Sequence, residues 1–343
     1  MPDADGAAPP LQRLNLALQG GGSHGALTWG VLDALLEDGQ WRFDGVSGTS
    51  AGAMNAVALA HGFAQAAREH KDPREAHQAG CALARETLTR LWEGVGTLGS
   101  LMWGAPLAAA NPMMGLMRQW LSPYQTNPLD INPLRRLLEK VVDFDFLQHE
   151  QGRNAPRVFV CATNVRTGKG EVFSGKRLSA DAVMASACLP MMYKAVEIKD
   201  QHYWDGGYSG NPLLYPLIYQ TGNSDVLLVQ LNPIEYNEVP TNVQEIMDRI
   251  NEITFNASLL AELRAMGFVR RLLDEGKLDR ERYKYMLMHH VDGGAVLKSY
   301  GASSKNRSDA PFVRELFERG RVSGENWLTQ HRADVGVRSG FKV

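Results

Sequence analysis

Cysteine is scarce in this chain. The three present, Cys81, Cys161 and Cys188, are far apart and odd in number, which excludes a disulfide framework and any Cys-x-x-Cys metal or redox motif. An excess of one charge is also missing. The formal net charge is −2, without the basic footprint that a nucleic-acid partner requires. No run approaches the roughly 18 apolar residues that span a bilayer, and the nearest candidate, residues 97–121, is broken by Pro106, Asn111 and Pro112. The amino terminus, MPDADGAAPPLQR, lacks the basic n-region and apolar h-region of a secretory signal. Residues 1–12 therefore read as a disordered leader on a cytoplasmic protein.

What is present is ordinary globular material. Of 343 residues, 44% are apolar and 22% charged, enough for one large α/β domain or two smaller ones. Leu14 to Leu18 reads as a buried strand, and Ala26 to Leu36 as a helix closed by Gly39. Asp44 to Gly48 reads as a second strand, followed by an apolar helix from Ser50 to Phe63. This alternation predicts an α/β fold with a mainly parallel central sheet. Residues 66–96 read as helix, 97–128 as a Gly/Pro/Met/Trp-rich insertion, and Asn132-Pro133 as a helix start running to Val142. Strands are expected at Arg157–Thr163, Gly170–Phe173, Val226–Leu231 and Arg282–Val291. A long amphipathic helix is expected from Thr241 to about Glu275, with Ile246, Ile250, Ile253, Leu260 and Leu263 on one stripe. A closing helix is expected from Ala310 to His331. With no repeat and no linker, one domain over residues 13–343 is the simplest division, residues 240–343 forming a mostly helical C-terminal extension.

Three stretches carry chemistry. In ALQGGGSHGA, Gly20, Gly22 and Gly25 fit the G-x-G-x-x-G dinucleotide fingerprint, but the same loop could aim backbone N–H groups at an oxyanion. The nucleotide reading wants an acidic residue at the end of the second strand, whereas Asp44 stands at its start; Walker A fails because Ala26 occupies the lysine position. Gly48-Thr-Ser-Ala-Gly52 fits G-x-S-x-G, the elbow that lifts a nucleophilic serine on a strained strand-to-helix turn. The same residues would also serve a tight turn with Ser50 as helix N-cap. The third stretch, Trp204-Asp-Gly-Gly207, is by itself an ordinary turn. No histidine stands out as a base for Ser50. His24 lies in the glycine loop, His289 and His290 point to opposite faces of a strand, and the others read as surface residues.

Together these stretches resemble the patatin-like phospholipase family. The matching residues are Gly20-Gly21-Gly22-Ser23-His24-Gly25, Gly48-Thr49-Ser50-Ala51-Gly52 and Asp205-Gly206-Gly207, with Ala185-Ser-Ala-Cys-Leu-Pro190 as a fourth block. The resemblance covers roughly residues 14–215. It implies a three-layer α/β/α fold and a serine lipid acyl hydrolase of phospholipase A or lysophospholipase type, working through a Ser–Asp dyad without metal or organic cofactor. In that scheme Ser50 is the nucleophile, Asp205 its base, and Gly20, Gly21 and Gly22 line the oxyanion hole, while Asn211 helps to fix the aspartate loop. Free aspartate, with a pKa of about 3.9, is a poor base for a hydroxyl, so Asp205 must be desolvated. The family places Arg or Lys before the last glycine of the loop. This chain has His24 there, a charge expected to titrate near pH 6.5.

The expected substrate is a phospholipid or other lipid. Neutral lipids, an intracellular polyester, or a silent lipid-binding role on the same fold are the alternatives. Residues 98–121 gather two Trp and several Met, suited either to a lid or peripheral membrane patch or to a loop packed on the core.

Overall fold

The computed structural model describes residues 10–103, 122–127, 132–236 and 239–341. Most of the expected leader lies outside them, but Gln12 already opens the first strand. The chain runs β1 (Gln12–Leu18), α1 (Gly25–Asp38), β2 (Trp41–Gly48), α2 (Ala51–Glu69), α3 (Pro73–Trp103), α4 (Pro133–Val141) and α5 (Phe144–Glu150). It continues through β3 (Arg157–Asn164), β4 (Gly170–Phe173), α6 (Ala180–Ser186), β5 (Val196–Ile198), β6 (Gln201–Asp205) and α7 (Tyr215–Gln220). β7 (Asp225–Gln230), α8 (Val243–Asp274), β8 (Leu287–Asp292) and α9 (Ala310–His331) complete it.

The sheet order is β5-β6-β3-β2-β1-β7-β8, with β4 also paired to β3. From β3 to β8 every pairing is parallel, and the β4, β5 and β6 pairings are antiparallel. Strand alternation feeds two cores. Leu14, Leu16, Leu18, Leu227 and Val229 face α1, α2, α3 and α9. Ala17, Phe159, Val226 and Leu228 face the opposite layer, where Leu217 of α7 and Leu259, Leu263 and Met266 of α8 cover them. The result is the mainly parallel α/β sheet that the strand–helix alternation predicted, in the three-layer α/β/α arrangement that the family resemblance implied.

Several boundaries move. α3 continues to Trp103, so residues 97–103 are its last turns rather than the start of an insertion; residues 104–121 lie outside the described part. The late strand is shorter than expected and begins at Leu287. His61, expected at the surface, is buried in α2.

The larger correction concerns α8. Its buried stripe is Glu252, Asn256, Leu259, Leu263 and Met266, whereas Ile246, Ile250 and Ile253 are 41%, 50% and 54% exposed. The first half of the helix turns a polar face inward because that face is spent on hydrogen bonds. Asn256 donates to the carbonyls of Asn232 and Pro233 and accepts from Gln19 Nε2 at 3.0 Å. Periodicity locates a stripe but not the side that is buried.

Candidate active site

Register on β3 sets the site. Val160 pairs with Gly48 of β2 on one side and Phe173 of β4 on the other, and Ala162 pairs with Glu171 of β4 and Asp205 of β6. β2 and β6 therefore share one edge of β3 and run towards each other. Their C-terminal ends stop two β3 residues apart, roughly 7 Å at strand spacing. Residues 161 positions apart in sequence order converge here: Thr49 Oγ1, just past β2, donates to the Gly210 carbonyl, just past β6, at 2.6 Å.

Ser50 follows immediately, with φ 55° and ψ −120°. A left-handed φ in a residue with a Cβ is strained and persists only where the surroundings enforce it. Here the Ser50 N–H donates to the buried Ser186 Oγ at 2.8 Å, and the Gly52 N–H closes the turn on the Thr49 carbonyl at 2.8 Å. The elbow expected from G-x-S-x-G is present. Ser50 is half-buried, at the head of α2.

Asp205 ends β6 and is 2% exposed. Its Oδ1 accepts the Gly207 N–H at 2.7 Å, and its main-chain N–H and C=O are held by the Cys188 carbonyl and Thr163 Oγ1, both at 2.8 Å. Burial pushes the carboxyl up to about 7, against the opposing pull of the Gly207 N–H and of hydrogen bonding from the Ser50 hydroxyl. A carboxyl poised near neutrality is what a base for serine needs, and desolvation supplies it.

The glycine loop leaves β1 beside the elbow. A Cβ built on Gly20 would lie 2.7 Å from the Thr49 carbonyl and 2.8 Å from Ser50 Cβ, so only glycine brings the loop this close. The expectation that Gly20 offers its N–H to an oxyanion is corrected: that N–H donates to Asn211 Oδ1 at 2.6 Å. The same contact revises Asn211, which clasps the glycine loop from the aspartate loop and so ties the two together. The Gly21 and Gly22 N–H groups have no acceptor among the described residues. Gly25 lies where a Cβ would strike Ala51 Cβ at 2.5 Å, packing the start of α1 on the start of α2.

His24 does not titrate near pH 6.5 here. Burial, reinforced by the Lys305 ammonium, pushes it down to about 3. The Ser304 hydroxyl donates to the Gly301 carbonyl at 2.7 Å, so His24 Nε2 must be the donor in its 2.6 Å bond to Ser304 Oγ. The ring is neutral, and its Nδ1 has no partner among the described residues. His289 and His290 are also engaged elsewhere, with Asp225 Oδ1 at 2.8 Å and Gln230 Oε1 at 2.9 Å. Asp44, which a ribose would need at a strand end, lies within β2 and pairs with Arg13 Nε at 3.1 Å. Among the described residues no group of three or more His, Cys, Asp or Glu is placed to hold a metal, and all three cysteines are buried.

Sequence reasoning missed Ser186, Asn232 and Lys305. Ser186 stood inside a block already singled out. Asn232 follows a parallel strand beside β1, a place where α/β sites gather, and could have been found on that ground. Lys305 lies in a segment with no pattern.

A family model described as patatin-like phospholipase matches residues 16–218, more than half of the chain. No curated protein matches. Among solved structures, VipD from Legionella pneumophila overlaps at 17% identity and a TM-score of 0.44, covering 94% of this chain and 68% of that one. The ExoU–SpcU complex from the type III secretion system of Pseudomonas aeruginosa overlaps at 20% identity and a TM-score of 0.30, covering 74% of this chain and 51% of that one.

Proposed function

From the premise that the chain belongs to the patatin-like phospholipase family, and is thus a carboxylic ester hydrolase acting on lipids, we propose that it cleaves phospholipid or lysophospholipid acyl esters through Ser50 and Asp205. One observation carries this reading: β2 and β6 end against each other on β3, setting Ser50 beside a buried carboxyl raised to about 7.

In the proposed cycle the Asp205 carboxylate takes the Ser50 proton as Oγ attacks the ester carbonyl. The oxyanion forms at the Gly21 and Gly22 N–H groups, donors that are fixed beforehand and cost no reorganisation. Collapse expels the alcohol, which recovers the proton from Asp205, and water then cleaves the acyl-enzyme with the same base. Among the described residues Asp205 makes no ion pair, so its charge stays available for proton transfer. Oxyanion donors are each worth roughly 3–4 kcal/mol, so the glycine loop contributes as much to the rate as the base does.

A fluorophosphonate probe tests the proposal. Wild type is expected to label and to release fatty acid from a phospholipid and lysophospholipid panel, and Ser50→Ala to do neither while keeping its melting temperature. Absence of labelling in wild type, or equal labelling of the variant, sinks the serine-hydrolase reading.

The expected contact through residues 98–121 falls mostly outside the described residues, and no described helix is long and apolar enough to cross a membrane. The exposed Ile246, Met247, Ile250 and Ile253 on α8 support peripheral contact with a lipid surface instead. The same helix reaches the site by another face, where Phe255 stacks edge-on against Tyr208 of the aspartate loop at 5.2 Å.

A further inference from the structure

We infer that Lys305 is a positioning residue of this site, acting through Asn232 to polarise the Gly20–Gly21 peptide and strengthen the Gly21 N–H as an oxyanion donor. The inference rests on the hydrolase reading above and adds a cation that the glycine loop itself does not carry, His24 being neutral.

The chain of bonds is continuous. Lys305 Nζ donates to Asn232 Oδ1 at 2.6 Å. Asn232 Nδ2 donates to the Gly20 carbonyl at 2.9 Å and to Gln19 Oε1 at 3.1 Å. The amide orientation is forced. An ammonium can only donate. Gln19 Oε1 is already identified as an acceptor by the Leu231 and Asn232 N–H groups at 2.8 and 2.9 Å. The Gly20 carbonyl belongs to the peptide whose N–H is that of Gly21. Hydrogen bonds in series polarise one another, so a charge-assisted bond at Asn232 draws electron density through both amides and leaves the Gly21 N–H a stronger donor.

Lys305 is also placed as a fixed part of the loop. Its carbonyl accepts Ser23 Oγ at 3.0 Å and lies 2.5 Å from where a Gly22 Cβ would stand. Gly22, at φ +58°, could not be another residue without displacing this contact. No carboxylate among the described residues comes within ion-pair distance of the ammonium. Glu252, the nearest in effect, is occupied by Tyr236 Oη at 3.1 Å and Arg249 at 3.4 Å. A half-buried cation without an ion-pair partner among the described residues is costly for folding alone: burial pushes the Lys305 ammonium below its ordinary range, and the more distant Glu252 and Asp248 carboxylates act against that shift. A negative charge developing on the far side of the glycine loop gives the ammonium a use. The field already reaches the loop, for Lys305 contributes to the depression of His24.

The test compares Lys305→Met, Lys305→Gln and Lys305→Arg with wild type on a monodisperse short-chain p-nitrophenyl ester, alongside affinity for a trifluoromethyl ketone that forms a tetrahedral oxyanion adduct. Expected for Met is a kcat loss of roughly ten-fold, a fraction of the 10²–10³ lost when an oxyanion donor is removed outright. KM should stay within about two-fold and ketone affinity should fall in parallel with kcat. Gln should behave as Met because it is neutral, and Arg should recover most of the rate. If Met does not fold, Gln and Arg carry the comparison. A folded neutral variant with wild-type kcat overturns the inference, as does a loss in KM that Arg fails to restore. Wild type that neither hydrolyses the ester nor labels with fluorophosphonate overturns the hydrolase reading instead.

Discussion

Asn211 pairs with both ends of Gly20: its Oδ1 accepts the Gly20 N–H at 2.6 Å and its Nδ2 reaches the Gly20 carbonyl at 3.4 Å. The aspartate loop thereby grips the glycine loop as a neighbouring strand would, at a buried position next to Ser50. Replacing Asn211 with Ala leaves the Gly20 N–H unsatisfied in the interior, at about 1–3 kcal/mol. Urea denaturation of Asn211→Ala should show a loss of that size, together with reduced kcat as the loop loosens against the elbow. Unchanged stability would mean that water replaces the contact.

Asp205→Asn separates catalysis from stability. The carboxyl has an ordinary value of 3.8 and a folded value of about 7. Below about pH 4 it is protonated in both states. As pH rises to about 7 the unfolded chain ionises and the folded one does not, so stability is progressively lost until the folded group ionises too. Asparagine removes that slope and still accepts the Gly207 N–H. The variant should therefore gain stability relative to wild type as pH rises from 4 to 8, by on the order of a few kcal/mol and read as a rising melting temperature, while kcat falls by about 10²–10⁴. A difference in melting temperature that is flat with pH would refute the buried-carboxyl account.

The elbow and the glycine loop were legible in the sequence as local steric demands, whereas the aspartate, an ordinary turn by itself, and its need for a raised pKa came from the family resemblance. The burial that raises Asp205 was not legible, because it depends on which elements close over the end of β6.

His24 should contribute no limb to the pH–rate profile. The acid limb should sit near 7, where the Asp205 carboxylate forms, and His24→Gln should superimpose on wild type, since the ring stays neutral down to about 3. Stability is where His24 acts. The unfolded ring binds a proton near its ordinary value of 6.5 and the folded ring only at about 3, so stability is lost as pH falls through that window. Glutamine can keep a donor to Ser304, and its acid unfolding midpoint should move to lower pH. A shifted acid limb in the rate profile would instead give His24 a catalytic charge.

The outward face of α8 makes a separate prediction. Ile250→Glu with Ile253→Glu, at positions 50% and 54% exposed, should leave hydrolysis of a soluble short-chain ester unchanged and weaken flotation with phosphatidylcholine–phosphatidylglycerol vesicles by several-fold. Unaltered flotation would remove this face from any lipid contact.

By itself the sequence determined the alternation of strand and helix and placed the three glycine-bearing turns. Strand period, helix capping and the exclusion of side chains from tight turns are short-range physics written into neighbouring residues. It could not determine which groups those turns meet. That Gly20 spends its N–H on Asn211, that the isoleucines of α8 face outward over a polar buried stripe, and that Ser186 holds the elbow follow from strand register and layer packing. Lys305, hydrogen-bonded to the glycine loop from 282 residues away, is the extreme case. Such long-range pairing is decided by the closure of the whole sheet, so only the tertiary structure could supply the cation that ALQGGGSHGA lacks.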